Sequence, residues 1–242
     1  MKPPNPTAIA ILAELATVDQ HRVLRQADAA LTERVLALKH YQARRFEHTY
    51  ADLLGSERYR AAVRFFLEEL YGPQEFASRD AQFARIVPSL VRLFPDAIVD
   101  TVHQLAKLHA LSEAMDTQMA QALPRSGLQA RDYLAAWQRC GQPEVRQRQI
   151  ALVMDIGQRL DTLTRKPFLR ATLRAMRGPA NAAGLGDLQR FLESGFDGFA
   201  QLRGADEFLA TLRERETRLA NALFGVPAAQ ADLRLVPWSE LP

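Results

Sequence analysis

The 242-residue sequence contains a single cysteine, Cys140. One cysteine allows no intramolecular disulfide and no cysteine-based zinc cluster. We expect Cys140 to be a small, buried or half-buried side chain rather than a reactive thiol. This cysteine usage agrees with a reducing compartment, so the sequence predicts a cytoplasmic protein.

Long apolar runs are also missing. A membrane-spanning helix needs about 20 apolar residues in succession, and the best stretch here, Thr7 to Val18, is interrupted by Glu14. The first residues lack the basic region, the apolar region and the cleavage motif of a secretory signal. We therefore predict no transmembrane segment and again a cytoplasmic location.

Motifs for catalysis and metal binding are absent. The sequence has no Gly-x-Ser-x-Gly and no phosphate-binding loop of the Walker type. No two of its five histidines are four residues apart, which is the spacing that lets one helical face hold a metal. The sequence favours a non-catalytic protein, although catalytic groups that only the fold assembles would leave no such trace.

Lysine is scarce, with only Lys2, Lys39, Lys107 and Lys166, and most of the 31 basic residues are arginine. A GC-rich bacterial genome produces the same bias, so we interpret the chain as bacterial. The 28 acidic residues leave a net charge of only +3. The arginine content by itself therefore does not indicate nucleic-acid binding.

Alternating strand-like patterns are missing, whereas apolar residues recur at helical spacing almost throughout. With 48% hydrophobic residues, the chain is able to form a sizeable core. We predict an all-α fold, an irregular multi-helix bundle of about ten helices. The segment 125–129 is predicted to be a loop within one helical protein, 1–242. The alternative is two subdomains, 1–123 and 130–225, divided at this loop.

Local signals give the first expected helix boundaries. Thr7 is a suitable N-cap for a helix that ends near Asp19, and the following pattern predicts one long helix from His21 to Leu54. Ser78 is expected to cap a later helix. Pro88 should kink or break that helix, because proline removes one hydrogen bond and clashes with the preceding turn.

A basic segment follows in the C-terminal half. Its cationic residues are Arg165, Lys166, Arg170, Arg174 and Arg177. The last three lie at i, i+4 and i+7 on one predicted helical face, and Phe168 and Met176 belong to the opposite face. We predict that this basic face binds an anion or a partner, or is neutralised internally by an acidic helix such as 207–216.

A second candidate site is aromatic. Phe65 and Phe66 are adjacent in a strongly apolar helix, and they project about 100° apart, so either one is able to face a neighbouring layer or a ligand. His103 and His109 lie on a long apolar helix, where a histidine is able to ligate haem. These four residues are the predicted cofactor-binding set for haem, a lipid or another small apolar ligand, with the cofactor itself unknown.

Three stretches carry a resemblance to a known family: RYRAAVRFFLEELYG at Arg58–Gly72, the Ser-Arg-Asp at 78–80, and HALSEAMD at His109–Asp116. Together they resemble a family of uncharacterised bacterial all-α proteins with an FFLxxLYG-type helix. The resemblance covers about residues 39–123. It implies a helical bacterial domain of unknown function and assigns no role to any residue.

Three functions remain open at this point. The first is a non-catalytic helical interaction module that binds a protein partner, or a second copy of itself as a homodimer. The alternative is a helical carrier or sensor of a small apolar ligand such as haem or lipid. The third and least favoured is nucleic-acid binding through the arginine-rich helix, Arg165 to Arg177, which predicts an affinity that falls steeply with salt.

Overall fold

A computed structural model describes residues 5–70, 72, 76–124, 127–225, 227, 230–231 and 241–242. These residues form helices and connecting loops, with no strand among them, so the predicted all-α fold is confirmed. The helices are α1 Pro6–Gln26, α2 Ala29–Thr49, α3 Ala51–Gly55, α4 Arg60–Phe65, α5 Ala77–Leu93, α6 Asp96–Ala122, α7 Ala130–Cys140, α8 Pro143–Thr164, α9 Pro167–Ala175, α10 Arg177–Ala182, α11 Gly186–Leu202 and α12 Asp206–Gly225.

The first two helices differ from the sequence prediction in their boundaries. Asn5, not Thr7, caps α1, because its Oδ1 accepts from the backbone N–H of Thr7 at 2.8 Å. The predicted long helix 21–54 is divided between α1, α2 and α3. Asp28 is the reason for the first break, since its side chain caps α2 by accepting from the Leu31 N–H at 3.1 Å.

The aromatic helix ends in a change of helical type. After α4, residues Phe66–Leu70 form a π-helical turn, whose wider spacing alters the direction of the side chains that follow. Glu69 and Leu70, at the end of this turn, line an internal cavity. The turn thus places an acidic side chain at the cavity wall.

Pro88 does not break its helix. α5 runs continuously from Ala77 to Leu93, so the predicted break at Pro88 is wrong. Val87 and Leu90, on either side of the proline, are buried in the core, and their packing offsets the lost hydrogen bond. Ser78 does not cap α5 but donates from Oγ to Asp187 Oδ2 of α11 at 2.6 Å.

The longest helix, α6, is packed against α1, α2, α7 and α8. Three apolar clusters surround it: one from α2, α6, α7 and α12, one from α2, α4, α8, α11 and α12, and one from α1, α5 and α6. The first two draw on residues from both sides of the segment 125–129, of which the structure describes 127–129. In the part of the chain that the structure describes, no helix has the length and apolar character needed to cross a membrane.

Two glycines let α11 approach α4 closely. A Cβ at Gly198 would lie 3.2 Å from the Ala61 carbonyl oxygen, and one at Gly195 would lie 3.0 Å from the Phe65 ring. A methyl group at Gly198 would meet rigid backbone, so a larger residue would separate the two helices. This contact fixes the position of Phe191, one turn earlier on α11, at the cavity wall.

Candidate functional site: a charged cavity around α6

A cavity of about 130 Å³ lies between the three apolar clusters. Its walls come from α1, α2, α5, α6, α7, α8, α11 and α12 together with the π-helical turn. A dry engineered cavity of about 150 Å³ is large enough to hold benzene. The cavity therefore has room for a ligand of about that size.

The lining combines apolar walls with an unusual number of charged groups. Leucine, valine and aromatic side chains form much of the surface. The ionisable side chains are Lys39, Arg45, Glu69, Arg79, Asp80, His109, Glu113, Asp116, Arg146 and Glu216. Five of them belong to residues that are buried, and charged residues are almost never buried unless they are paired or functional.

One face of α6 supplies the central polar groups. His109, Ser112, Glu113 and Asp116 follow the spacing i, i+3, i+4 and i+7, so they project from the same side of the helix. The side chains span about 10 Å along the axis, at 1.5 Å per residue. This α6 polar stripe is the core of the candidate site.

Glu113 is held by two cations from different helices. Arg25 Nη2 of α1 donates to one carboxylate oxygen, and Lys39 Nζ of α2 donates to the other at 2.7 Å. Burial alone would raise the pKa of Glu113, but the charges of Lys39 and Arg25 outweigh burial and lower the pKa to about 2. Glu113 is thus ionised and fully engaged at neutral pH.

Asp80 forms a second ionic cluster at the α5 side. Arg22 Nη2 donates to Asp80 Oδ2 at 2.7 Å, and His109 Nε2 lies 3.0 Å from the same oxygen. Burial would raise the pKa of Asp80, but the hydrogen bond from His109 and the nearby charges bring it below its ordinary value. The ionised carboxylate orients the His109 ring at the cavity wall.

Arg79 lies beside this cluster and stacks on aromatic rings. Its guanidinium carbon lies 3.9 Å from the centroid of Phe76 and 4.5 Å from that of Phe191. Nη1 donates to Glu69 Oε2 at 3.1 Å. Cation–π contacts of this kind stabilise a desolvated guanidinium and fix its plane.

Asp116 differs from the other carboxylates. Its residue is 9% exposed, and the hydrogen bond it receives within the described residues comes from the neutral amide of Gln42, Nε2 to Oδ1 at 3.1 Å. Burial raises the pKa of Asp116, and the neighbouring Glu113 raises it further, while Lys39, the Gln42 hydrogen bond and Arg146 act in the opposite direction without compensating. Among the described residues, no hydrogen bond reaches its second oxygen, Oδ2.

Gln149 and Arg146 of α8 contribute further polar groups to the cavity wall. Gln149 Nε2 of α8 donates to Ser112 Oγ at 2.8 Å. Arg146, also on α8, donates to Gln149 Oε1 at 3.1 Å and lies 4.0 Å from the Trp137 ring centroid. Trp137 is therefore placed to report changes in the cavity by its fluorescence.

The predicted cofactor-binding residues do not come together. Phe65 and Phe66 are buried, 4% and 3% exposed, in the cluster behind Phe191. His103 lies six residues before His109 on α6, so the two rings project about 120° apart. Of the four, His109 is the one whose side chain lines the cavity.

The predicted basic segment is on the surface and is largely neutralised. Arg170 pairs with Asp197 at 2.7 Å, Arg177 with Glu193 at 2.7 Å and Arg165 with Asp161 at 2.5 Å. The expectation that helix 207–216 neutralises them is wrong, because α8 and α11 supply these partners. Lys166 and Arg174 are exposed, beside Phe168, whose side chain is 64% exposed.

Sequence reasoning missed most of the cavity residues. Asp80, Lys39 and Arg146 are single charged residues on separate helices, and nothing in the sequence shows that they meet. Glu113 and Asp116 did leave a signal, since HALSEAMD places polar residues at helical spacing inside an apolar helix. A charged face on a helix is ordinarily solvated, so the signal does not by itself distinguish a buried site.

Two other features of the described part of the chain concern metal binding and the single thiol. No group of three or more His, Cys, Asp or Glu residues there has the geometry of a metal site. Cys140 is half-buried, as predicted, and burial raises the pKa of its thiol. A raised pKa reduces the thiolate fraction and therefore the reactivity of this cysteine.

A family model covers most of the chain. It is described as Domain of unknown function (DUF8198), and it matches residues 21–230. The chain belongs to this family. The match extends beyond the region 39–123 on which the sequence resemblance was based, and it includes all ten ionisable cavity residues. No curated protein and no solved structure matches the chain.

Proposed function

We propose that this member of the DUF8198 family binds a small polar molecule in the cavity around α6. The observation that carries the proposal is the set of buried charged groups that converge there from α2, α5, α6 and α8. Burying an ionised side chain is strongly unfavourable, and stability alone would favour apolar residues at these positions. A ligand that uses these groups gives them a role.

This proposal modifies the ligand class expected from the sequence. A haem or lipid site needs few charged groups, whereas this cavity combines its apolar wall with several carboxylates, guanidinium groups and amides. Its volume of about 130 Å³ also suits a molecule much smaller than haem. Carrier, sensor and enzyme all remain compatible with such a site, and His109 oriented by Asp80 is a suitable general base for an enzyme.

Native mass spectrometry of the freshly purified protein tests the proposal. We expect an additional mass in the native spectrum that is lost on denaturation. Ser112→Phe should remove this mass by filling the cavity, because Ser112 lies in the middle of the α6 polar stripe. Ala37→Phe, at an exposed position of α2, is the matched control and should retain it.

A binding titration covers the case in which the ligand is lost during purification. Trp137 fluorescence is recorded while a library of small charged and neutral molecules is added. Binding by the wild-type protein and the Ala37→Phe control, but not by Ser112→Phe, supports the proposal. Absence of any bound molecule in both measurements contradicts it.

A second candidate function is self-association through α9, in line with the homodimer expected from the sequence. It is supported by Phe168, 64% exposed, and by Met176 just after α9, 48% exposed. Exposed apolar side chains beside exposed cations are typical of interaction surfaces. Light scattering should give a dimer mass for the wild-type protein and a monomer mass for Phe168→Ser; a wild-type monomer contradicts this function.

A further inference from the structure

The cavity contains one acidic group that the protein itself does not pair with a cation. Arg25 and Lys39 donate to Glu113, Arg22 and His109 bind Asp80, Arg79 binds Glu69, and Arg45 binds Glu216. Within the described residues, no ion pair of this kind reaches Asp116. Its contact is the Gln42 amide, 3.1 Å from Oδ1.

We propose that the cavity binds a small organic cation whose ammonium group donates to the carboxylate of Asp116. This inference rests on the proposed ligand-binding function and specifies the class of ligand. Asp116 is 9% exposed and lines the cavity, so its carboxylate lies largely out of contact with solvent. A charge-assisted hydrogen bond in such a desolvated place is much stronger than one at the surface.

The surroundings of Asp116 agree with a cation as the missing partner. Ser112, one turn earlier on α6, has a hydroxyl that accepts from Gln149 and is able to accept a second N–H. Burial and the adjacent Glu113 disfavour the ionised form of Asp116, and the charges of Lys39 and Arg146 oppose them without cancelling them. A ligand cation beside Asp116 would favour the ionised form further.

The cavity size limits the cation. At about 130 Å³, the space suits an amine with a single ring or a short aliphatic chain. The wall between the charged groups is apolar and includes Leu105, Leu108 and Val153. A ligand with one ammonium group and an apolar body matches a cavity that has both charged groups and apolar side chains in its wall.

Isothermal titration calorimetry with an isosteric series tests the class of ligand. The probes are benzylamine and cyclohexylamine as cations, benzyl alcohol as the neutral analogue and benzoate as the anion. We expect the full-length protein to bind one or both amines at one site and to bind the alcohol and benzoate at least about tenfold more weakly.

Asp116→Asn assigns the effect to this carboxyl group. The substituted amide has the same shape and is still able to accept from Gln42, so the fold should be retained. We expect amine affinity to fall by about 10- to 100-fold, since a hydrogen bond to a charged group is lost. Glu33→Gln, an identical charge change on the exposed side of α2, should leave amine affinity unchanged.

Thermal unfolding separates a binding role from a structural one. Asp116→Asn should raise Tm by about 2–4 °C, because it removes a buried charge that lacks an ionic partner. A structural role for the carboxylate would instead lower Tm. Gain of stability with loss of amine binding therefore supports the proposal, whereas a lower Tm with unchanged binding overturns it.

The remaining outcomes distinguish the two levels of inference. Binding of benzoate or benzyl alcohol as tight as that of the amines overturns the cation class but leaves ligand binding in the cavity intact. The same holds when neither amine binds and native mass spectrometry still shows a bound molecule. Failure of every probe together with an empty native spectrum contradicts the proposed function itself.

Discussion

The charged groups around α6 and those around α9 contrast in their surroundings. In the ion pair of Arg25 with Glu113, the two side chains are 8% and 11% exposed, whereas in the pair of Arg170 with Asp197 they are 46% and 50% exposed. The α9 cluster is dense in sequence, and the α6 cluster is dispersed over six helices and the π-helical turn. Local charge density is therefore a poor guide to a site in this protein.

The difference in solvent exposure explains why the charged groups around α6 are more informative than those around α9. Water screens exposed charges, so an arginine-rich surface helix is tolerated at little energetic consequence and needs no function. Charges in the cavity interact at a lower effective dielectric constant, and each requires a partner. The difference teaches that the buried groups, not the abundant ones, are informative about function.

The largest expected effect that would test this comparison is loss of Glu113. Glu113→Gln leaves Arg25 and Lys39 buried without their common counter-ion, and we expect a loss of about 3–5 kcal/mol in the free energy of unfolding. Urea denaturation followed by circular dichroism measures it. A loss below about 1 kcal/mol would show that the cavity charges behave like surface charges.

Lowering the pH should reveal the contribution of Glu113 to the stability of the wild-type protein. The pKa of Glu113 is about 2 in the folded protein and 4.5 in its ordinary state, so the unfolded chain takes up the proton first as the pH falls. This contribution is present above pH 4.5 and is lost between about 4.5 and 2, on the order of 3 kcal/mol. Asp116 acts in the opposite sense, because its pKa is raised and its protonation favours the folded state.

Urea midpoints measured across this pH range check the acid prediction. Glu113→Gln should show a smaller decrease than the wild-type protein, because the residue that titrates in this window has been removed. Asp80 also has a lowered pKa, so some decrease should remain in the variant. An identical pH profile for the two proteins would contradict the assignment to Glu113.

A surface ion pair provides the contrasting small effect. Asp197→Asn separates Arg170 from its partner at a position where both side chains are about half exposed. We expect a loss of about 0.2–1 kcal/mol, further reduced at high salt. The measurement is urea denaturation in low and high salt, and a loss as large as that of Glu113→Gln would remove the distinction between the two regions.

The smallest effect on stability should come from Phe168. Phe168→Ser changes an exposed side chain of α9, and we expect the free energy of unfolding to stay within about 0.5 kcal/mol of wild type. Phe66→Ala, in the core, is the contrasting variant and should lose about 3–5 kcal/mol. Thermal denaturation of both variants tests whether the exposed side chain of Phe168 contributes to the stability of the fold.

Helix formation was predictable wherever the apolar spacing was long and regular. The long apolar helix predicted around His103 and His109 is confirmed as α6, since packing of one face determines such an element. Boundaries were less predictable. Asp28 interrupts a pattern that continues across it, and Pro88 lies inside a helix whose burial outweighs the local penalty.

The candidate site was predictable only in part. His109 was singled out as a possible ligand, and it does line the cavity, but Phe65 and Phe66 pack behind it and His103 points to another face of α6. The ring of His109 is oriented by Asp80, which lies on α5. No sequence pattern connects this position on α5 to α6. Pairing between distant helices depends on the whole packing arrangement.

The all-α class, the long central helix and the amphipathic faces follow from the amino-acid sequence alone, because they depend on spacings of three to seven residues. Which charged residues are buried, which are solvated and which carboxylate has no ion pair among the described residues became known from the packing of the helices. Those properties depend on side chains from eight helices that meet around α6, and the energy of a charge is set by the groups and solvent around it rather than by its neighbours in sequence.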